Sequence, residues 1–202
     1  EKTIILMDSN NKFYSLGEWL GSSDDSEDFE LEKRPELDKI KSEDKIINIG
    51  YDLALTKTAL YFFKDNIPRG LPSTDTLFDG KVAKFALPEL KNGEVFIKAQ
   101  YRSSIILLTN KKNLYGYLCS YGHKHLISTS EINDDYTLTQ IKTPENLEII
   151  DFDSNNRNLI YLGYDTKKRT NLVYGNMSLD RMHFFTKNAE SYLPKDVFMK
   201  EI

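Results

Sequence analysis

The sequence has little of several features that mark particular classes of protein. Its single cysteine, Cys119, excludes an internal disulfide and favours a reducing compartment, so we expect an intracellular protein of the cytoplasm or nucleus. No apolar run approaches the roughly 20 residues that span a bilayer, and no signal peptide is recognisable, so no membrane partner is expected. Lysine and arginine total 27 against 31 aspartates and glutamates, and this net charge of −4 argues against nucleic acid as a partner.

Helical periodicity is also nearly absent, and the abundant residue types favour β-sheets. Apolar residues make up 40% and charged residues 29%, which is typical of a globular chain rather than a disordered one. Aromatic residues reach 12%, and their flat rings pack well on a pleated sheet. The bias towards Asn, Lys, Asp and Ile points to an AT-rich eukaryotic genome. The composition therefore predicts an all-β protein.

An internal repeat is the strongest pattern in the sequence. An apolar residue followed by tyrosine recurs at Phe13-Tyr14, Leu60-Tyr61, Leu114-Tyr115 and Val173-Tyr174. An apolar strand precedes each pair, at residues 3–7, 52–56, 104–109 and 158–162, and a polar turn joins the two segments. An apolar run, a short polar turn and a second apolar run are typical of a β-hairpin.

Proline provides an independent marker of the same repeat. Four of the six prolines fall in phase, each before an apolar strand: Pro35, Pro88, Pro144 and Pro194. Proline fixes φ and lacks an N–H group, so it suits a connection that leads into a strand. We interpret residues 1–202 as one repeat domain of four units, approximately 1–37, 38–90, 91–146 and 147–202.

A unit of about 50 residues with roughly four short strands predicts a β-propeller blade. One such sheet cannot bury both of its faces, whereas sheets stacked around an axis cover each other. Leucine-rich units are about half as long, and ankyrin and tetratricopeptide units are shorter and helical. The alternative is a β-sandwich with accidental spacing.

These markers resemble one propeller family, the regulator-of-chromosome-condensation repeat. The best match is residues 95–127, through Val95, Ile97, Ala99, Ser104, Leu108, Thr109, Leu114, Tyr115, Gly122 and Leu126. The family's histidine before the serine is absent, because Arg102 or Ser103 stands there, and most of its paired glycines are missing. The resemblance implies a propeller that usually closes with about seven blades. We therefore expect these four units to be a fragment of a longer protein, or a partial set of blades that another segment completes.

Catalytic and metal-binding patterns are weak in this sequence. His123 and His125 are two residues apart and Cys119 lies just upstream, so a metal site built from these three is one interpretation. Exposed imidazoles and a small buried thiol are the interpretation we favour, and we expect no metal and no cofactor. No G-x-S-x-G, P-loop or G-x-G-x-x-G motif is present. No carboxylate or histidine recurs in phase across all four units, which argues against a propeller enzyme with a central site.

Several loop residues are candidates for contacts with a protein partner. In the family that the sequence resembles, the loop after the tyrosine strand contributes to the partner-binding face. Trp, Tyr and Arg are the usual anchors of interfaces. The candidates in these loops are Trp19, Arg69, Tyr121, His123 and Arg181. For Trp19, packing between blades is an equal alternative. The acidic run at residues 22–32 is either a docking segment for a basic partner or, as we favour, a solvated loop.

The sequence therefore predicts a non-enzymatic scaffold for protein interactions, working as a subunit of a larger assembly, because loops on a rigid frame are suited to recognition. The alternative, implied by the resemblance, is a guanine-nucleotide exchange factor for a small Ran-like GTPase, although no inserted β-wedge is recognisable. Chromatin binding is a further alternative, which the acidic balance disfavours.

Overall fold

The computed structural model describes residues 4–10, 12–16, 31–50, 53–63, 75–77, 82–102, 104–117, 137–154 and 159–176. The chain divides into two compact units, an N-terminal unit, Glu1–Lys91, and a C-terminal unit, Asn92–Ile202. The described residues form antiparallel sheets and one α-helix, which confirms the predicted all-β class.

The N-terminal unit contains two sheets. Sheet 1 has the order β1-β2-β3, and sheet 2 has the order β4-β5-β6-β8-β7. The strands are β1 (Ile4–Met7), β2 (Phe13–Leu16), β3 (Glu32–Lys33), β4 (Ile46–Ile49), β5 (Leu53–Thr56), β6 (Ala59–Phe63), β7 (Asp75–Leu77) and β8 (Val82–Ala86). Within each sheet, consecutive apolar strands pair through short polar turns, as the sequence predicts.

The C-terminal unit also contains two sheets. Sheet 3 has the order β12-β11-β10-β9, and sheet 4 has the order β13-β14-β15. The strands are β9 (Phe96–Tyr101), β10 (Ile105–Thr109), β11 (Leu114–Tyr117), β12 (Leu138–Gln140), β13 (Leu147–Ser154), β14 (Leu159–Asp165) and β15 (Thr170–Asn176). The hairpin between β14 and β15 has a turn of four residues, 166–169.

The first of the four in-phase prolines does not have the predicted position. Pro35 does not lie in an extended connection but starts the helix α1 (Pro35–Glu43). Proline is favoured in the first turn of a helix, because its fixed φ is helical and no N–H partner is needed there. Leu37 and Ile40, three residues apart, are fully buried against sheets 1 and 2, whereas Glu36 and Asp38 complement the positive helix start.

Each unit has its own apolar core between its two sheets. In the N-terminal unit the core contains Phe13, Leu37, Ile40, Ala54, Ala59, Tyr61, Phe63 and Val82. In the C-terminal unit it contains Ile106, Leu108, Leu114, Ile141, Leu147, Ile149, Phe152, Leu159, Tyr161 and Leu172. The apolar area removed from water between stacked sheets is the main stabilising contribution in each unit.

Candidate protein-binding site

The contact residues proposed from the sequence do not define a site in the structure. Trp19, Arg69, Tyr121, His123 and Arg181 all lie outside the described residues. Cys119, His125 and most of the acidic run at 22–32 lie outside them too. They therefore stay predictions. Among the residues that the structure describes, no group of His, Cys, Asp and Glu side chains is arranged to hold a metal ion.

A surface cleft lies beside β1 in the N-terminal unit, and sequence reasoning did not identify it. Its volume is about 400 Å³. Its lining is mostly apolar and comes from β1, β2, the end of α1 and β4: Ile5, Leu6, Met7, Phe13, Lys41, Lys45, Ile46, Ile47, Asn48 and Ile49. Because open apolar concavities are the usual sites of binding, this cleft is the main candidate in the described structure.

One border of the cleft is an open strand edge. Within the described residues β1 pairs with β2 alone. The N–H of Asp8 donates to the carbonyl of Lys12 at 3.0 Å, and hydrogen-bonded pairs alternate along an antiparallel ladder. The backbone groups of Leu6 therefore point towards β2, whereas those of Ile5 and Met7 point away from it. The outward-facing peptide groups of β1 therefore have no hydrogen-bond partner among the described residues.

Large apolar side chains remain accessible at this edge. Met7 is 56% exposed and Leu6 is 44% exposed, while Ile47 on β4 is 38% exposed. Register places Met7 opposite Phe13, on the face that covers the core, and Leu6 opposite Tyr14, on the other face. A group of exposed apolar side chains around a concavity is typical of an interaction site.

The charged side chains in the described lining of the cleft have one sign. They are those of Lys41 and Lys45, and no carboxylate is among the described lining residues. The ammonium of Lys41 lies 5.7 Å from the centre of the Phe13 ring, so a cation–π contact holds its stem over apolar surface. The cleft therefore combines an apolar floor with a basic border, which favours an apolar ligand that carries negative charge.

A second strand edge, in the C-terminal unit, is closed by side chains. Lys98 and Gln100 extend from β9 to the free edge of β13. The Lys98 ammonium donates to the Phe152 carbonyl at 2.7 Å, and the Gln100 carbonyl accepts from the Ser154 N–H at 2.9 Å. Asp151 completes the arrangement, because its carboxylate accepts from the N–H of Phe152 at 2.8 Å and pairs with Lys98. These contacts satisfy backbone groups of Phe152 and Ser154 that an added strand would otherwise use.

The sequence of β9 contains a pattern that indicates this closed edge, namely polar residues at alternate positions. Lys98 and Gln100 are two residues apart, so they lie on one face of the strand. They are opposite Leu108 and Ile106, whose side chains pack towards sheet 4. Two long polar residues on a face that packs against a neighbouring sheet need partners there, although the sequence does not reveal which groups they meet.

Three carboxylates that accept several hydrogen bonds organise turns and connections. Asp8 accepts from the N–H groups of Asn10 and Lys12, each at 2.8 Å, and the bond from Lys12 contributes most to a pKa below the ordinary value. Asp44 accepts from both the N–H and the hydroxyl of Thr58. Burial raises the pKa of Asp44, but these and other hydrogen bonds outweigh it, so its net pKa is lowered.

Glu94 has the same role in the C-terminal unit. Its carboxylate accepts from the Thr109 hydroxyl at 2.6 Å, the Asn113 amide at 2.8 Å and the Tyr115 hydroxyl at 3.3 Å. Burial raises the pKa of Glu94, but the three hydrogen bonds together lower it below its ordinary value. Glu94 is therefore an ionised acceptor at neutral pH, which is the state of a structural turn residue.

Comparisons with known proteins identify the fold. No family model matches the sequence, and no curated protein matches it. Two solved structures are similar. Yeast RCC1 (Prp20), in a crystal structure bound to Kap60, has 16% identity and a TM-score of 0.51 over 85% of this chain and 40% of its own. Human WBSCR16 has 13% identity and a TM-score of 0.50 over 86% of this chain and 45% of its own.

The chain spans less than half the length of either neighbour. In the part of the chain that the structure describes, no helix is long and apolar enough to cross a membrane. Four antiparallel sheets, few helices and the similarity to both neighbours agree with the predicted architecture. This chain therefore has the fold of a partial, divergent RCC1-like β-propeller.

Proposed function

We propose that this chain is a non-enzymatic scaffold for protein interactions that works as a subunit of a larger assembly. The proposal rests on the cleft beside β1, where exposed apolar side chains lie next to peptide groups that have no partner among the described residues. Such a surface supplies both the area and the hydrogen bonds that protein recognition uses. The single cysteine supports a place in the cytoplasm or nucleus.

The chemistry of the described carboxylates supports the same proposal. A general acid at neutral pH needs a raised pKa, and a nucleophile needs a base within hydrogen-bond reach. The pKa values of Asp8, Asp44 and Glu94 are instead lowered, since hydrogen bonds in turns and connections hold them ionised. One structural neighbour is a propeller bound to another protein, which agrees with a protein as the partner.

The proposal is tested by recovery of partners from native lysate with a tagged full-length protein. The variant Met7→Asp places a charge in the cleft, and Ile160→Asp is the matched control, because Ile160 is an exposed apolar residue in the C-terminal unit, at 45% exposure. We expect a fixed set of proteins to be recovered with the unchanged protein and with Ile160→Asp, and to be lost with Met7→Asp.

The same recovery, run once with EDTA and once with Mg²⁺ and excess GDP, separates the scaffold from an exchange factor. A scaffold recovers the same partners in both conditions. A small GTPase that is held only in EDTA contradicts the scaffold and indicates nucleotide exchange, because an exchange factor binds the nucleotide-free form most tightly.

A further inference from the structure

We propose that two hairpin turns of the C-terminal unit together bind a short acidic segment of a partner protein. They are the β10–β11 turn, residues 110–113, and the β14–β15 turn, residues 166–169, and are named the basic turns below. The cleft on which the proposed function rests lies in the N-terminal unit. The inference therefore goes beyond the proposed function, and each of the two can fail without the other.

The basic turns lie at the same end of the C-terminal unit. The N–H of Ile149 in β13 donates to the carbonyl of Lys112, in the first turn, at 3.4 Å. The N–H of Thr166, in the second turn, donates to the carbonyl of Asn146 at 2.9 Å. Asn146 and Ile149 are three residues apart, which is about 10 Å in a strand. Both turns therefore contact one short segment of the chain and lie within reach of one extended ligand.

Each turn holds a long cation in a backbone conformation that its residue type rarely adopts. The φ angles of Lys112 and Arg169 are 67° and 57°, in the left-handed region. This region favours glycine and asparagine, because the Cβ of other residues lies too close to the following carbonyl oxygen there. The other positive-φ positions among the described residues do hold these types: Asn92, Gly93 and Asn146. Lys112 and Arg169 therefore cost stability at their positions, as expected of side chains that serve recognition rather than folding.

The cations of the basic turns are accessible to an anion. Four of them are exposed and take part in none of the ion pairs between described residues: Lys112, Lys167, Lys168 and Arg169. Lys111 is exposed too, and its ammonium donates to the carbonyl of Asn92 at 2.7 Å. The exposed Lys142 adjoins the first turn, because the N–H of Ile141 donates to the carbonyl of Leu114 at 2.9 Å. Six exposed cations thus belong to this surface.

The carboxylates near the basic turns offset only part of this charge. Glu94 is half-buried and accepts three side-chain hydrogen bonds. Asp165 is buried and accepts from two N–H groups of its own turn, at 2.9 and 2.8 Å. Glu145 and Glu148 are exposed, and Glu148 lies on the face of β13 opposite to the buried Leu147. The exposed surface is therefore basic, although the whole chain has a net charge of −4.

The composition of the turns favours an acidic protein segment over nucleic acid. Residues 110–113 and 166–169 contain no aromatic side chain on which a base could stack. The net charge of −4 repels a long polyanion, whereas a short segment is screened from charges more than about 8 Å away at physiological ionic strength. Alternate side chains of an extended segment are about 7 Å apart, so about four residues place two carboxylates along the span of the turns.

The test uses a fluorescein-labelled peptide of nine residues in which glutamate alternates with serine. Binding to the full chain is measured by fluorescence anisotropy. We expect saturable binding that is at least 10-fold tighter than for the same peptide with glutamine in place of glutamate, because charge attraction carries the recognition. We also expect the affinity to fall when NaCl is raised from about 0.05 M to about 0.5 M, since salt screens exposed charges.

Protein variants separate binding from folding. Lys112→Asn/Arg169→Asn places a favoured residue at both left-handed positions, so we expect the Tm to rise by about 2–4 °C while peptide affinity falls at least 10-fold. The control Lys33→Asn/Lys57→Asn removes the same charge from exposed positions of the N-terminal unit, and we expect it to bind the peptide as the unchanged protein does. Glu145→Gln removes an exposed carboxylate beside the turns and is expected to tighten binding about 2-fold.

Four results overturn the proposal. The glutamine peptide binds as tightly as the glutamate peptide, which means that charge does not select the ligand. The variant Lys112→Asn/Arg169→Asn keeps the affinity of the unchanged protein. The same variant loses both affinity and Tm, which means that these two cations support the fold instead. Duplex DNA displaces the peptide at a lower concentration than unlabelled peptide does, which identifies nucleic acid as the ligand of the basic turns.

The variant Met7→Asp separates this inference from the proposed function. We expect Met7→Asp to lose the partners recovered from lysate and to retain the acidic peptide, because the cleft and the basic turns belong to different units. If native partners depend on Met7 but the peptide does not bind, the scaffold stands and the acidic segment is wrong. If the peptide binds through Lys112 and Arg169 but no native partner depends on Met7, the basic turns stand and the cleft is wrong.

Discussion

Two strand edges of this molecule, β1 in the N-terminal unit and β13 in the C-terminal unit, differ in whether their outward-facing backbone groups have hydrogen-bond partners. At β13, Lys98 and Gln100 bind the outward-facing carbonyl of Phe152 and the N–H of Ser154. At β1, the corresponding groups of Ile5 and Met7 make no hydrogen bond to another described residue, and apolar side chains beside them are exposed. Side chains close the edge of β13, whereas no described residue covers the outer edge of β1.

The difference shows how sheets of one repeat acquire different roles. An unpaired edge attracts other strands, and folded proteins usually block such edges with charged side chains. At β13 the block comes from the neighbouring strand β9, so closing the edge also fastens sheet 3 to sheet 4. At β1, Lys41 and Lys45 lie in the lining of the cleft, and within the described residues no strand pairs with the outer side of β1.

The largest expected effect separates core packing from the open edge. Phe152→Ala removes a buried ring from the core of the C-terminal unit and a cation–π contact with Lys98 at 5.0 Å, so we expect it to lower the free energy of unfolding by about 3–5 kcal/mol. Met7→Ala, at the exposed edge of β1, is expected to change it by about 0.5 kcal/mol or less. Urea titration followed by circular dichroism measures the free energy of unfolding of both variants. Equal losses would contradict the contrast between the buried Phe152 and the exposed Met7.

A moderate effect is expected when the closed edge is opened. The double variant Lys98→Met/Gln100→Leu keeps the apolar stems but leaves the Phe152 carbonyl without its partner, so we expect a loss of about 1–3 kcal/mol in the free energy of unfolding. We also expect concentration-dependent association in sedimentation velocity, because β13 becomes available for pairing. Lys168→Met, in an exposed turn, is the control. A double variant that stays monomeric would show that Lys98 and Gln100 do not protect the edge.

The smallest effect concerns pH and compares Glu94 in the C-terminal unit with Asp8 in the N-terminal unit. The folded pKa of Glu94 lies below its ordinary value of 4.5. Its stabilising contribution is therefore present above that ordinary value and is lost as the pH falls through the lowered folded pKa. We expect Glu94→Gln to lower the Tm at pH 7 by about a few degrees at most, and the difference from the unchanged protein to shrink as the pH falls below the ordinary pKa of 4.5.

Asp8 is the counterpart of Glu94 in the N-terminal unit. Its pKa is also lowered, chiefly by the N–H of Lys12, and its carboxylate accepts from Tyr14 as that of Glu94 accepts from Tyr115. Asp8→Asn is therefore expected to show the same direction of pH dependence, with a smaller amplitude because Asp8 lies at an exposed turn. Thermal scans at a series of pH values measure both variants. A difference that grows as the pH falls would contradict the sign for either residue.

Much of the fold is predictable from local pattern. Each predicted pair of an apolar strand and a tyrosine strand forms a hairpin, for example β10 with β11, where Leu107 lies opposite Tyr115. Local pattern suffices here because a short polar turn between two apolar strands permits little besides an antiparallel pair. The helix α1 was not predicted, because proline is favoured both in a connection before a strand and at the first position of a helix.

The candidate site was much less predictable. The residues chosen from the loops, such as Trp19 and Arg181, lie outside the described structure and stay predictions. The cleft beside β1 combines residues from three strands and a helix that are up to some 40 positions apart, so no local pattern marks it. Recognition surfaces depend on which strand lacks a neighbour, and pairing between elements distant in sequence decides that.

The sequence by itself determined the strands, the hairpins, the repeat and the all-β class, because the period of apolar residues and the chemistry of turns act over a few residues. The tertiary structure alone decided the chemistry of the edges. Lys98 and Gln100 bind the backbone of β13 only because β9 lies beside it, and the peptide groups of Ile5 and Met7 face an open side only because, within the described residues, β1 pairs with β2 alone. The physical reason is that every peptide group requires a hydrogen-bond partner wherever it lies in the chain. Which group becomes that partner depends on how segments distant in sequence pack together.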